Sequence, residues 1–152
     1  MPEIRKVLFP CDLTENSLKV LPYVLSVSEK CDSMIYLLHV VQDLHKWGKG
    51  YIPHGSMDVF QKQALEGAEK ALDSFFEESA LGEHISSFQK RIVSGDPANE
   101  ILKAVESEGI DMVVMGTHGR KGLEHTIFGS VAENVVKRAP VPVMIVNPYR
   151  VE

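Results

Sequence analysis

Short runs of apolar, strand-forming residues alternate with helical patterns along the whole chain, and this alternation constrains the fold most. Five such runs are typical of buried strands. They are Lys6–Pro10, Met34–Val41, Phe88–Val93, Ile110–Met115 and Val141–Val146. Between them, apolar residues recur at spacings of three and four, which is the period of an amphipathic helix. The pattern predicts an α/β fold: one doubly wound domain with a five-stranded parallel sheet and helices on both faces. The order we expect for its strands is the Rossmann-like 3-2-1-4-5.

Two helix starts have clear signals in the sequence. Asp96-Pro97 places a capping carboxylate before a proline of the first turn, and Gly129-Ser130 precedes the last helical run. Pro22 lies inside the first helical pattern, where it removes one backbone hydrogen bond, so we expect a kink or a late start there. In sheets of this kind, ligands bind beyond the carboxyl ends of the strands, where the strand order reverses. The residues that follow each strand are therefore the first candidates for a site.

Composition fits one globular domain over residues 1–152. Of the 152 residues, 44% are hydrophobic and 24% are charged, so a core can be buried without a disulfide or a metal. The formal net charge is −5 and no block of like charges occurs, which argues against a nucleic-acid partner. The start of the chain lacks the apolar stretch of a signal peptide, and no apolar run could span a membrane. We therefore expect a cytoplasmic protein with no membrane or nucleic-acid partner.

A glycine-rich segment directly after the fourth strand is the strongest functional signal. Gly116–Gly122 is followed by Gly129-Ser130, and together they spell G-x2-G-x9-G-S. Glycine after a strand lets a ligand approach the main chain, and the free N–H groups of a helix start suit phosphate. Residues 116–138 carry four cations, among them Arg120 and Lys121, against two acids. Such a segment in an acidic chain favours anion binding, although the glycines could instead serve only as turn residues.

With Asp12 after the first strand and Leu37–Val40 closing the second, this pattern resembles the universal stress protein family, specifically its ATP-binding branch. The resemblance covers essentially the whole chain. It implies a stress-response or signalling module that binds ATP or another adenine nucleotide, with or without Mg²⁺. It also implies at most weak enzyme activity and a homodimer through the Val141–Val146 strand. Thr14 stands where the family usually has serine, and the hydroxyl is kept.

The resemblance also implies which residues hold the nucleotide. Asp12 and the backbone around Pro10 and Val40 would hold the adenosine end, since the end of a buried strand can offer main-chain hydrogen bonds to adenine. The glycines and Ser130 would line the ribose and phosphates. The complete set of candidates is Pro10, Asp12, Val40, Met115, Gly116, His118, Gly119, Arg120, Gly129, Ser130 and Val131. Asp12 could instead be no more than a cap for the first helix.

Alternative hypotheses stay open at this point. A slow ATPase or phosphotransferase could use Asp12 or His118 with Mg²⁺, although P-loop, dinucleotide, serine-hydrolase and zinc-protease motifs are all absent. An interaction module could have a vestigial pocket and act through its last strand, which has the apolar character of an exposed edge. The long irregular stretch Gln42–Gly55 could be a lid or a surface loop. Cys11 is expected to be a small buried hydrophobe whose pKa the neighbouring carboxylate raises, rather than a redox sensor.

Overall fold

A computed structural model of the chain describes residues 1–43, 54–79, 88–118 and 128–152. In chain order the elements are β1 (Lys6–Pro10), α1 (Glu15–Cys31), β2 (Met34–Gln42), α2 (His54–Glu78), β3 (Phe88–Gly95), α3 (Pro97–Ser107), β4 (Met112–Gly116), α4 (Ser130–Arg138) and β5 (Val143–Val146). All strand pairs are parallel, and the order is β3-β2-β1-β4-β5. The predicted doubly wound α/β fold is confirmed.

The last two strands begin later than their apolar runs predict. Ile110 is buried, yet its N–H donates to the Val105 carbonyl at 3.0 Å, so it is held by the end of α3. β4 therefore starts at Met112 rather than Ile110. β5 starts at Val143, directly after Pro142, whose carbonyl accepts the N–H of Val113 at 2.9 Å but which has no N–H of its own.

Helix starts follow their sequence signals closely. The Asp96 carboxylate accepts the N–H of Asn99 at 3.0 Å, with Pro97 at the first position of α3, so this predicted cap is confirmed. Helix α1 begins at Glu15, ahead of Pro22, so the late start expected there is wrong. Pro22 lies on the exposed face of α1, where water can satisfy the carbonyl that the missing N–H leaves free.

Alternate residues of β1 bury themselves on opposite faces of the sheet, which gives the domain two apolar layers. Val7 and Phe9 pack with α1 and α2, whereas Leu8 packs with α3 and α4. All three side chains are essentially fully buried. β1 and β4 are neighbours in the sheet, but the helices that follow them lie on opposite faces: α1 after β1 and α4 after β4. The carboxyl ends of these two strands therefore open a crevice at the point where strand order reverses.

Candidate functional site

A pocket of about 440 Å³ occupies this crevice, at the carboxyl ends of β1, β2 and β4. Its walls come from the loop after β1 and the start of α1, the end of β2, the start of α3, the segment after β4, and the start of α4. Nine of the residues proposed from the sequence line it: Pro10, Asp12, Val40, Met115, Gly116, His118, Gly129, Ser130 and Val131. The other two, Gly119 and Arg120, lie outside the described residues, as does most of the Gln42–Gly55 stretch.

Asp12 is held at the pocket by one of its two carboxylate oxygens. Its Oδ1 accepts the Thr14 N–H at 3.1 Å, the Thr14 hydroxyl at 2.7 Å and the Ser17 hydroxyl at 2.5 Å. Its Oδ2 is buried and has no hydrogen-bond partner among the described residues. Thr14, rather than Asp12, is the residue that precedes α1 as its N-cap, so the alternative role of Asp12 as a plain helix cap is wrong. A buried, unpaired acceptor in a pocket wall is suited to a ligand hydroxyl.

Leu13, next to Asp12, has a left-handed backbone with φ of 64°. A branched side chain rarely adopts this conformation, which costs on the order of 1–2 kcal/mol. The surrounding contacts hold it there: Leu13 packs against the α1 and α2 layer, and the flanking Asp12 and Thr14 are tied together. Backbone strain of this kind concentrates at binding sites, where it fixes the direction of a neighbouring side chain.

Cys11 begins the loop after β1 and is tied to β2 through its own backbone. Its N–H donates to the Leu38 carbonyl at 2.9 Å, and its carbonyl accepts from Nδ1 of His39 at 2.7 Å. Burial raises the pKa of the Cys11 thiol to about 12, and the Asp12 carboxylate adds only a smaller contribution in the same direction. The expected direction is right, but its main cause is desolvation rather than the neighbouring charge. An inert buried thiol at this position stabilises the loop by packing.

On the opposite wall, two glycines allow backbone segments to touch. A Cβ on Gly116 would lie 3.2 Å from both the His118 carbonyl oxygen and a methyl of Val20. A Cβ on Gly129 would lie 3.0 Å from the Thr117 carbonyl oxygen, which accepts the Gly129 N–H at 2.9 Å. Both positions are tighter than ordinary Cβ contacts, so a larger residue would require its neighbours to give by a few tenths of an ångström.

His118 follows β4 and is only 3% exposed. Its Nδ1 is 2.8 Å from the Thr117 hydroxyl, its ring packs against that of Tyr149 with centroids 5.5 Å apart, and its Nε2 has no partner among the described residues. The Tyr149 hydroxyl in turn accepts from the Asn16 side chain at 3.2 Å. The C-terminal turn thus connects the segment after β4 to the first turn of α1.

The amino end of α4 faces the pocket through Gly129, Ser130 and Val131. No side chain caps this helix, so within the described residues its first-turn N–H groups remain available to an anion. A second cleft of about 280 Å³ adjoins the pocket, shares Ser130 and Val131 with it, and is also lined by Asp96 and Arg138. The helix dipole favours negative charge at the amino end of α4.

Among the pocket residues that the sequence argument missed, three carry polar side chains near the ends of β1 and β4: Asn16, Ser17 and Thr117. Ser17 lies five residues after Asp12, in the first turn of α1, so only the bend at Leu13 brings its hydroxyl back to the carboxylate. The contact between Asn16 and Tyr149 joins residues at opposite ends of the chain. The signal that could have found Ser17 and Thr117 is their small hydroxyl chemistry just beyond the ends of β1 and β4, where ligands of such sheets bind.

Comparison with known proteins places this geometry in a family. The sequence model of the universal stress protein family matches residues 3–147. This chain belongs to the universal stress protein family. Universal stress protein MJ0531 of Methanocaldococcus jannaschii is 30% identical over 148 residues, which cover 97% of this chain and 85% of that protein. The prediction of the family from the glycine pattern is confirmed.

Solved structures of the family share the fold. MJ0577 of Methanocaldococcus jannaschii superposes with a TM-score of 0.80 at 28% identity, covering 96% of this chain and 97% of that one. A universal stress protein in complex with cAMP and one from Archaeoglobus fulgidus in complex with dAMP superpose with TM-scores of 0.60 and 0.54. Both are 16% identical to this chain, cover 97% of it, and are themselves covered to 99% and 100%.

Clustered metal ligands and membrane-spanning helices are both missing from the described parts of this universal stress protein. Within residues 1–43, 54–79, 88–118 and 128–152, no group of three histidine, cysteine or acidic side chains is arranged to hold a metal ion. Over the same ranges, no helix has the length and apolar character needed to cross a membrane.

Proposed function

We propose that this universal stress protein is a cytoplasmic stress-response or signalling module that binds an adenine nucleotide, ATP in the first place, in the pocket at the sheet crevice. The observation that carries the proposal is the half-satisfied carboxylate of Asp12. One oxygen is fully held by the loop, while the other is buried in the pocket wall without a partner among the described residues. Ribose hydroxyls supply the donor that this oxygen lacks.

The rest of the pocket divides into a base end and a phosphate end. Val40 lies near the end of β2, and the same pocket is lined by the apolar side chains of Pro97 and Ile101, which suit the flat face of a purine. The uncapped amino end of α4, with the Ser130 hydroxyl, suits the phosphates. The neighbours that hold cAMP and dAMP support an adenine nucleotide in this fold.

Binding rather than turnover is the function we propose. Asp12 is the one carboxylate among the described residues that line the main pocket, and three groups of the loop already occupy its Oδ1. A Mg²⁺ ion bound with ATP would therefore be held mainly by the phosphates. Hydrolysis would need a positioned base and cations that act on the transition state, so stored nucleotide should persist.

The test is to denature the protein as purified, identify released small molecules by mass spectrometry, and titrate the stripped protein with ATP and Mg²⁺. We expect a stoichiometric adenine nucleotide, and a ratio of ATP to ADP that changes little on incubation. A steadily rising share of ADP would favour the slow ATPase instead. A protein that releases no nucleotide and also fails to bind ATP would refute the proposal and favour the alternative hypothesis of an interaction module with a vestigial pocket.

Asp12→Asn separates binding from folding. Its amide oxygen can still accept from Thr14 and Ser17, but an NH₂ group replaces the free acceptor, so we expect ATP to bind at least about tenfold more weakly with a nearly unchanged melting temperature. Asp111→Asn is the matched control, because the Asp111 carboxylate accepts the N–H groups of Arg5 and Lys6 at the amino end of the sheet. Equal affinities of the two variants would count against Asp12 as a ligand contact.

We propose further that the protein forms a homodimer through β5. This strand is at the edge of the sheet, and Val143, Met144 and Ile145 remain only partly buried. An apolar edge of this kind tends to pair with another chain. Ile145→Lys should give a monomer in sedimentation velocity, whereas Val59→Lys, at a site 55% exposed on α2, should not. A dimer that survives Ile145→Lys would exclude this interface.

A further inference from the structure

The hydrogen-bond ladder between β1 and β2 ends in an unusual way. In a parallel pair, every second residue turns its N–H and C=O to the same neighbouring strand. The Met34 N–H donates to the Arg5 carbonyl at 2.8 Å, and the Leu38 carbonyl accepts the Cys11 N–H at 2.9 Å. The even-numbered residues of β2 therefore face β1, and Val40 is the next residue of that set.

Continuing the two-residue repeat pairs the Val40 N–H with the Cys11 carbonyl. That bond is absent, and the Cys11 carbonyl accepts from Nδ1 of His39 instead, at 2.7 Å. A carbonyl oxygen can only accept, so Nδ1 of His39 carries the proton. No described group accepts the Val40 N–H on this side, although Val40 lines the pocket. Nδ1–H of His39 thus bonds to the same carbonyl oxygen to which the Val40 N–H would donate if the ladder continued.

We propose that His39 is a positioning residue for base recognition: by capturing the Cys11 carbonyl, it ends the ladder one bond early and keeps the Val40 N–H open to the ligand. The inference rests on the proposed adenine-nucleotide function. Beyond the end of the ladder, neither the N–H nor the C=O of Val40 has a backbone partner on the β1 side among the described residues. This donor beside an acceptor matches the N1 acceptor and the 6-amino donor of adenine. It opposes guanine, whose edge presents a donor and an acceptor in the reverse order.

Ligand analogues test this role. We expect wild-type protein to bind ATP about tenfold more tightly than 1-deaza-ATP, which lacks the N1 acceptor, since one hydrogen bond is lost. His39→Leu frees the Cys11 carbonyl to pair with the Val40 N–H. The affinity for ATP should then fall to that for 1-deaza-ATP, so the ratio of the two affinities should fall to about one. His39→Asn, which keeps an N–H donor near the position of Nδ1, should restore the preference.

This ratio distinguishes positioning from general damage. A variant that merely loosens the pocket weakens both nucleotides equally and leaves the ratio at its wild-type value. An unchanged ratio in His39→Leu would overturn the inference, as would a wild-type protein that does not discriminate between the two ligands.

Amide hydrogen exchange gives a second test that needs no nucleotide. In the ligand-free wild-type protein, the Val40 amide should exchange at least about tenfold faster than the Leu38 amide, which lies inside the ladder. His39→Leu should slow Val40 to the rate of Leu38, and ATP should protect Val40 in the wild type. Equal rates in the ligand-free wild type would overturn the inference even if His39→Leu does not fold. If no adenine nucleotide binds but the exchange contrast is present, the proposed ligand is wrong and the role of His39 in ending the ladder stands.

Discussion

The loops that follow β1 and β4 form the two walls of the same pocket, but they are held by different means. The loop after β1 is organised by side chains: Asp12 gathers the groups of Thr14 and Ser17 around one carboxylate oxygen. The segment after β4 is organised by main chain, since Gly116 and Gly129 let backbone carbonyls approach to distances at which a Cβ would be crowded. A side-chain network can lose one hydrogen bond at a time, whereas relieving a crowded backbone contact requires the main chain itself to move.

Gly129→Ala should have the largest effect on stability. Its new Cβ would lie 3.0 Å from a backbone oxygen that no rotamer change can move, so the start of α4 must shift, at a cost of about 1–3 kcal/mol in the free energy of unfolding. ATP affinity should fall with it, because the N–H groups of α4 move away from the phosphates.

Gly67→Ala is the matched control for that substitution. Gly67 lies within α2, and no atom lies within 4 Å of the point that a Cβ there would occupy, so alanine should raise stability by about 0.5–1 kcal/mol. Urea unfolding of both variants measures the contrast. If Gly129→Ala is as well tolerated as Gly67→Ala, the β4 wall is not built on close backbone contact.

Ser17→Ala should have the next largest effect. It removes the hydroxyl that donates to Asp12 Oδ1 and accepts the Asp12 N–H, which should cost about 1–2 kcal/mol while ATP binding is reduced but retained. Ser74→Ala, at an exposed position of α2, should be neutral in the same urea experiment. A loss of stability larger than that of Gly129→Ala would reverse the comparison between the two walls.

Alkaline pH should show the smallest effect, through Cys11. Burial raises the thiol pKa from 9.0 to about 12, so the folded state keeps its proton where the unfolded state loses it. Stability is therefore almost unaffected by this group below about pH 8 and falls above it, by about 0.8 kcal/mol between pH 8 and pH 9.5. Cys11→Ala should flatten this part of the pH profile, whereas Cys31→Ala, which removes an exposed thiol, should not. An unaltered slope in Cys11→Ala would show that the β1 loop opens to solvent.

Local sequence rules predicted most of the fold correctly. The bounds of β1 and the cap at Asp96 follow from apolar pattern, proline and capping chemistry, which act within a few residues. The rules failed where a tertiary contact decides the boundary. Ile110 has the character of a strand residue but its N–H is held by the end of α3, and Pro22 is tolerated because its side of α1 faces solvent.

The sequence by itself determined the alternation of strands and helices, the glycine spacing that marks the family, and the small set of residues that end strands at one edge of the sheet. Only the tertiary structure decided that Asp12 keeps one oxygen without a partner among the described residues and that Asn16 contacts Tyr149. It also decided that the Cys11 carbonyl accepts from His39 and not from the Val40 N–H. The reason is physical: periodicity and capping depend on neighbours along the chain, whereas an unpaired acceptor depends on which groups the strand register brings within hydrogen-bond distance.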